Sequence, residues 1–144
     1  MNAKKYLDLM KKHRKDLDNF PMAWAFNDEQ LKEALEKLGA KKEECVTLAG
    51  HGDIMKRTDV PAFKEMIKRH NEELQELLGD KEAAEEAFLY EMDNHEYAIN
   101  WSGDEDVLDC FNLTEEKLYE MGLRDAYLNA RRRHMKHARE WDMI

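Results

Sequence analysis

The sequence predicts a mainly α (α+β) protein: an antiparallel bundle of five or six helices with one small β-hairpin near residues 45–57. Three observations lead there. Helix-favouring residues prevail in the 144-residue chain, which holds only two prolines and six glycines. Apolar residues recur at helical spacing in most segments. The one β-branched cluster of note, Val46 and Thr47 with Ile54, brackets a Gly50-His51-Gly52-Asp53 turn. The length suits a single domain over residues 1–144, long enough to bury a sizeable core.

The first helix is expected over residues 2–18, with Tyr6, Leu9, Met10, His13 and Leu17 on one side. Phe20-Pro21 breaks it. MAWAF (22–26) reads as extended or as a buried loop, and Trp24 and Phe26 are candidates for a third strand. Asn27 looks like an N-cap with Gln30 as its capping-box partner, and Gly39 ends the short helix that follows. Strands are expected near 45–49 and 53–57. A lone two-stranded hairpin is marginal, so it must pack on helices or find a third strand.

Asp59 and Pro61 start the next helix, whose stripe of Phe63, Met66, Ile67, Leu74, Leu77 and Leu78 has His70 in its middle. Gly79-Asp80 is a stop followed by a new N-cap, and the helix from Lys81 pairs with its predecessor as an αα-hairpin. It is expected to fray near 99–101, because Ser102-Gly103-Asp104 is a turn signal. Thr114 caps a short helix ending at Gly122, with Leu113 and Leu118 as a hydrophobic staple. A last helix runs from about Leu123 to Trp141.

Charged residues make up 38% of the chain, well above the usual quarter, and the net charge of −9 is unevenly spread. Residues 1–20 and 123–144 each carry six Lys/Arg against three acids. Residues 80–120 hold 14 acids against Lys81 and Lys117 alone. Either the basic ends pack near the acidic middle and neutralise it, or the middle offers an acidic surface to a basic partner. No apolar run is long enough for a membrane span. The N-terminus lacks the apolar region of a secretory signal, so a cytoplasmic location with reduced Cys45 and Cys110 is expected.

The stretch with most chemical content is 88–113, FLYEMDNHEYAINWSGDEDVLDCFNL. On a helix, Ala84, Ala87, Phe88, Met92, Ala98 and Ile99 form an apolar stripe with Glu91 and His95 at its centre. His13, His70 and His134 also sit on the stripes of their helices. An antiparallel hairpin puts His70 near the level of Glu91, so His70, Glu91 and His95 could meet and bind a transition metal. Their spacing matches neither the zinc-protease nor the di-iron motif. The alternative is a polar core in which Glu91 accepts hydrogen bonds from a histidine or from Tyr90 or Tyr97.

Other patterns read as structure. Gly50-His51-Gly52-Asp53 matches no phosphate loop. Asp104, Glu105, Asp106 and Asp109 lack the alternation of a calcium loop and read as a solvated acidic loop. Arg131, Arg132 and Arg133 could touch phosphates, but Tyr127, Ala130, His134, Ala138 and Trp141 give that helix a core face. Cys45 and Cys110 read as small core residues.

FLYEMDNHEYAIN (88–100), with the acidic segment at 104–109 and NLTEE at 112–116, resembles an uncharacterised family of small proteins from bacterial mobile elements and phages. The shared pattern is an aromatic residue, then Tyr90, Glu91, Met92, Asn94, His95, Glu96 and Tyr97. AWAFNDEQ (23–30) and KLG (37–39) also look similar. The resemblance implies a mobile-element setting and no particular chemistry.

The leading expectation is therefore a small acidic, non-enzymatic protein without a cofactor that binds a basic protein partner, with an anti-CRISPR-like inhibitor of host defence as one version. Its partner-binding residues would be Glu85, Asp93, Glu96, Asp104, Glu105, Asp106 and Asp109. Membrane association and direct nucleic-acid binding are not expected, and the oligomeric state is left open. The alternative is a metal-dependent enzyme using His70, Glu91 and His95.

Overall fold

The computed structural model describes residues 3–47, 52–95 and 101–140. They form seven α-helices and three short strands: α1 (Lys4–Asp18), β1 (Met22–Trp24), α2 (Asp28–Leu38), β2 (Cys45–Val46), β3 (Asp53–Lys56), α3 (Val60–Leu78), α4 (Lys81–Asn94), α5 (Trp101–Asp109), α6 (Glu115–Glu120) and α7 (Arg124–Glu140). The fold is mainly α with a small β part, as the sequence predicts. The residues gather into two compact units, Met1–Lys12 with His70–Ile144, and His13–Arg69.

The His13–Arg69 unit is built on an antiparallel sheet of order β1-β3-β2, with Met22 opposite Met55 and Cys45 opposite Lys56. The hairpin thus has its third strand, formed by Met22–Trp24; Phe26 lies beyond it and is exposed. Gly52 has φ 89°, and a Cβ there would come 2.8 Å from the Ala25 carbonyl oxygen. Only glycine fits that approach, which lets the Ala25 N–H donate to the Gly52 carbonyl at 2.8 Å. The expected turn residues Gly50 and His51 lie outside the described residues. Ala34 and Leu38 of α2 pack with Ala23 and Ile54 of the sheet. The helix is capped as its sequence predicts: Asn27 accepts from the Gln30 N–H at 2.8 Å, and Gly39 takes the left-handed conformation.

The other unit has the larger core. Phe88 of α4 meets Phe111 and Tyr127 edge-on at 5.0 and 5.3 Å, and Tyr6 of α1 lies 5.3 Å from Phe111. Leu74 and Leu78 of α3, Val107 and Leu108 of α5, Leu118 of α6 and Ala130 of α7 complete it. Asp80 and Thr114 cap α4 and α6 through their side chains.

Two expectations about the segment after α4 need correction. Residues 102–104 are not a turn, and 104–109 is not a loop: both lie in α5. Gly103 and the aspartates Asp104, Asp106 and Asp109 are weak helix formers, but Val107 and Leu108 are buried in the core, and that packing overrides local propensity. The expected stripe residues Ala98 and Ile99 lie outside the described residues.

Candidate functional site

Glu91 and His95 are one turn apart on α4 and share a face, as their spacing requires. The helix ends at Asn94, yet the His95 N–H still donates to the Glu91 carbonyl at 3.0 Å. The ring therefore stays above Glu91, and its Nε2 lies 3.1 Å from Glu91 Oε2. The Glu91 side chain is 11% exposed, whereas that of His95 is 42% exposed. The expectation that both face the core holds for Glu91 only, because His95 caps the helix end instead of continuing its stripe.

The third member is Cys110, just beyond α5. Its Sγ lies 3.5 Å from His95 Nε2 and 3.4 Å from the Asp106 carbonyl oxygen. One ligand atom from each of Glu91, His95 and Cys110 lies within 4.8 Å of the others. Burial, then the neighbouring Glu91 carboxylate, pushes the Cys110 thiol up to about 12. Tyr6 donates a hydrogen bond to Glu91, and burial followed by that negative charge raises its phenol well above the usual range. These side chains combine a thiol, an imidazole and a carboxylate with a phenol hydrogen-bonded to the carboxylate.

Sequence reasoning placed His70 in this cluster, and the structure does not. His70 is buried on α3 but is not among the ligand atoms that converge on Glu91. Level along a hairpin does not specify which way a helix turns its face; Tyr6 and Cys110 are the groups beside Glu91. Tyr90, proposed as a partner of Glu91, is partly exposed, and Tyr97 lies outside the described residues. Cys110 reads from the sequence as a small core residue and does pack against the core, but no spacing motif marks its place beside His95. Its one local signal is a place next to Phe111, at the edge of the core.

The acidic segment divides in two. α7 takes much of it. Arg133 Nη1 donates to Glu85 at 2.8 Å and to Glu86 at 2.7 Å, and the Glu86 bond chiefly holds its guanidinium above the ordinary value. Arg131 and the Tyr127 hydroxyl both donate to Asp104, at 3.1 and 2.6 Å. His134 and His137 both donate from Nδ1 to Asp93, at 2.6 and 3.0 Å. Glu85, Asp93 and Asp104 therefore do not form the outward acidic face expected of them; the spacing of α7 brings Arg131, Arg133 and two imidazoles onto them. Of the expected partner-binding set, Glu105, Asp106 and Asp109 are exposed, and Glu96 lies outside the described residues.

What remains is a groove of about 530 Å³ at α5 and α6. Leu108 and Leu113 contribute its apolar lining; Asp104, Glu105, Asp109, Glu115 and Glu116 its carboxylates. Among the described residues, no basic side chain lines it. Glu115 and Glu116 were missed as surface candidates because they read only as the acidic first turn of a helix.

A family model described as a family of unknown function (DUF7659) matches residues 5–133. The chain belongs to this family. The DUF7659 match takes in the sheet, the Glu91 cluster and most of α7, and it bears out the expected membership of an uncharacterised family. No curated protein and no solved structure matches this DUF7659 chain. Among the described residues no helix is long and apolar enough to cross a membrane.

Proposed function

We propose that this protein acts by binding a basic partner protein through the groove at α5 and α6. One observation carries the reading: after α7 has engaged Glu85, Glu86, Asp93 and Asp104, the Glu105, Asp109, Glu115 and Glu116 carboxylates still rim a groove that, among the described residues, no basic side chain lines. Such a surface suits a basic segment whose Lys or Arg residues would meet the carboxylate rim, above a floor formed by the core residues Leu108 and Leu113.

The partner chemistry is that of a nucleic-acid-binding protein, whose basic channel an acidic protein can occupy. A mobile-element or phage setting, with inhibition of a host-defence enzyme as the concrete version, rests on the sequence resemblance and on this charge layout. The test is capture of partners from the native host by the wild type and by a Glu105→Lys, Asp109→Lys, Glu115→Lys variant. A basic protein should be captured by the wild type, be released by salt, and be lost or at least about 10-fold weaker with the variant. The same proteins held equally by both would overturn the reading.

A further inference from the structure

We propose that Glu91, His95 and Cys110 form a three-ligand site for zinc or a similar divalent transition metal. The site is separate from the acidic groove and does not depend on it. Carboxylate, imidazole and thiolate are the three donor types that borderline-soft zinc accepts, and sulfur selects against magnesium and calcium. The distances carry the case further than composition does. Zinc bonded at about 2.0–2.1 Å to nitrogen or oxygen and about 2.3 Å to sulfur holds tetrahedral donors roughly 3.3–3.6 Å apart. His95 Nε2 and Cys110 Sγ are 3.5 Å apart, and Glu91 Oε2 and His95 Nε2 are 3.1 Å apart. Two of the three donor separations thus lie near those of the required tetrahedron before any ion is added, and the third is within 4.8 Å.

The supporting groups have the organisation a metal site needs. Glu91 is buried and takes a hydrogen bond from Tyr6, which holds the carboxylate in place as outer partners of metal ligands do. Two ligands come from one helix turn and the third from beyond α5, so a bound ion ties the end of α4 to the end of α5. Three protein ligands leave one tetrahedral position for water or another small donor, the arrangement of reactive zinc sites. Binding exchanges the Cys110 S–H proton for the metal, and that proton leaves to solvent.

Cobalt(II) is the probe, added to the metal-free full-length protein carrying Cys45→Ser, which leaves Cys110 as its sole thiol. The expected result is one equivalent bound, with tetrahedral ligand-field bands, a thiolate-to-cobalt charge-transfer band, and displacement of both by zinc. Further substitution of Cys110→Ser should abolish the charge-transfer band. His95→Gln, at a partly exposed position where folding is less at stake, should weaken binding strongly. Tyr6→Phe should weaken it about 10–100-fold while keeping the spectrum. Failure of the folded Cys45→Ser protein to bind cobalt overturns the proposal, as does binding without a charge-transfer band or with unchanged affinity in His95→Gln.

Discussion

His134 on α7 is fully buried, and its Nδ1 donates to Asp93 Oδ1 on α4 across 2.6 Å. His137, one turn along α7 by sequence, donates to the other oxygen of the same carboxylate at 3.0 Å. One acid thus gathers two imidazoles, and the acidic α4 is fastened to the basic α7 by hydrogen bonds as well as by apolar packing. Removing the acid leaves a buried donor without its acceptor, which costs more than the bond itself.

Asp93→Ala should therefore destabilise the protein by about 1–3 kcal/mol in urea unfolding. His134→Ala, which also opens a cavity at a fully buried position, should cost about 2–4 kcal/mol. The double variant should fall short of the sum, since each single change already breaks the shared bond. Additive losses would show that the pair contributes no coupling.

The N-cap of α4 sets a pH dependence. The Ala83 N–H, and next the Lys5 ammonium, hold the Asp80 carboxyl below the usual carboxylate range. A folded pKa below the unfolded one gives stability that is present above the unfolded value and is lost as pH falls through the folded one. The difference in Tm between wild type and Asp80→Ala should be largest near neutrality and shrink on acidification. A difference that stays constant across that range would remove Asp80 ionisation from the stability of α4.

Cys110 should be a slow thiol in the metal-free protein. Burial and Glu91 push it up to about 12, so little thiolate exists near neutrality. Alkylation of Cys110 in the Cys45→Ser protein should be far slower than that of a free cysteine and should rise about tenfold per pH unit toward that value. Glu91→Gln removes the nearby negative charge and should speed the reaction at fixed pH. Alkylation at the rate of a free cysteine would contradict the burial and charge placed around the sulfur.

Local features were legible wherever one residue's backbone chemistry decides the outcome. Asn27, Asp80 and Thr114 each cap a helix because a short oxygen-bearing side chain reaches the free N–H groups of the first turn. Gly39 ends α2 because it adopts positive φ without strain. Ser102-Gly103-Asp104 misled for the converse reason. A turn signal is worth a fraction of a kcal/mol per residue, and burial of Val107 and Leu108 outweighs it.

The sequence by itself determined the mainly helical class, the caps and the opposition of basic ends to an acidic middle, and it offered the segment around Trp24 as a candidate third strand. Tertiary structure alone decided which acid meets which base, and that Cys110 rather than His70 joins Glu91 and His95. Helical periodicity states which residues share a face, but not how that face is rotated toward its neighbours. That rotation follows from side-chain packing in the core around Phe88, Phe111 and Tyr127, and it places a cysteine fifteen residues downstream beside His95.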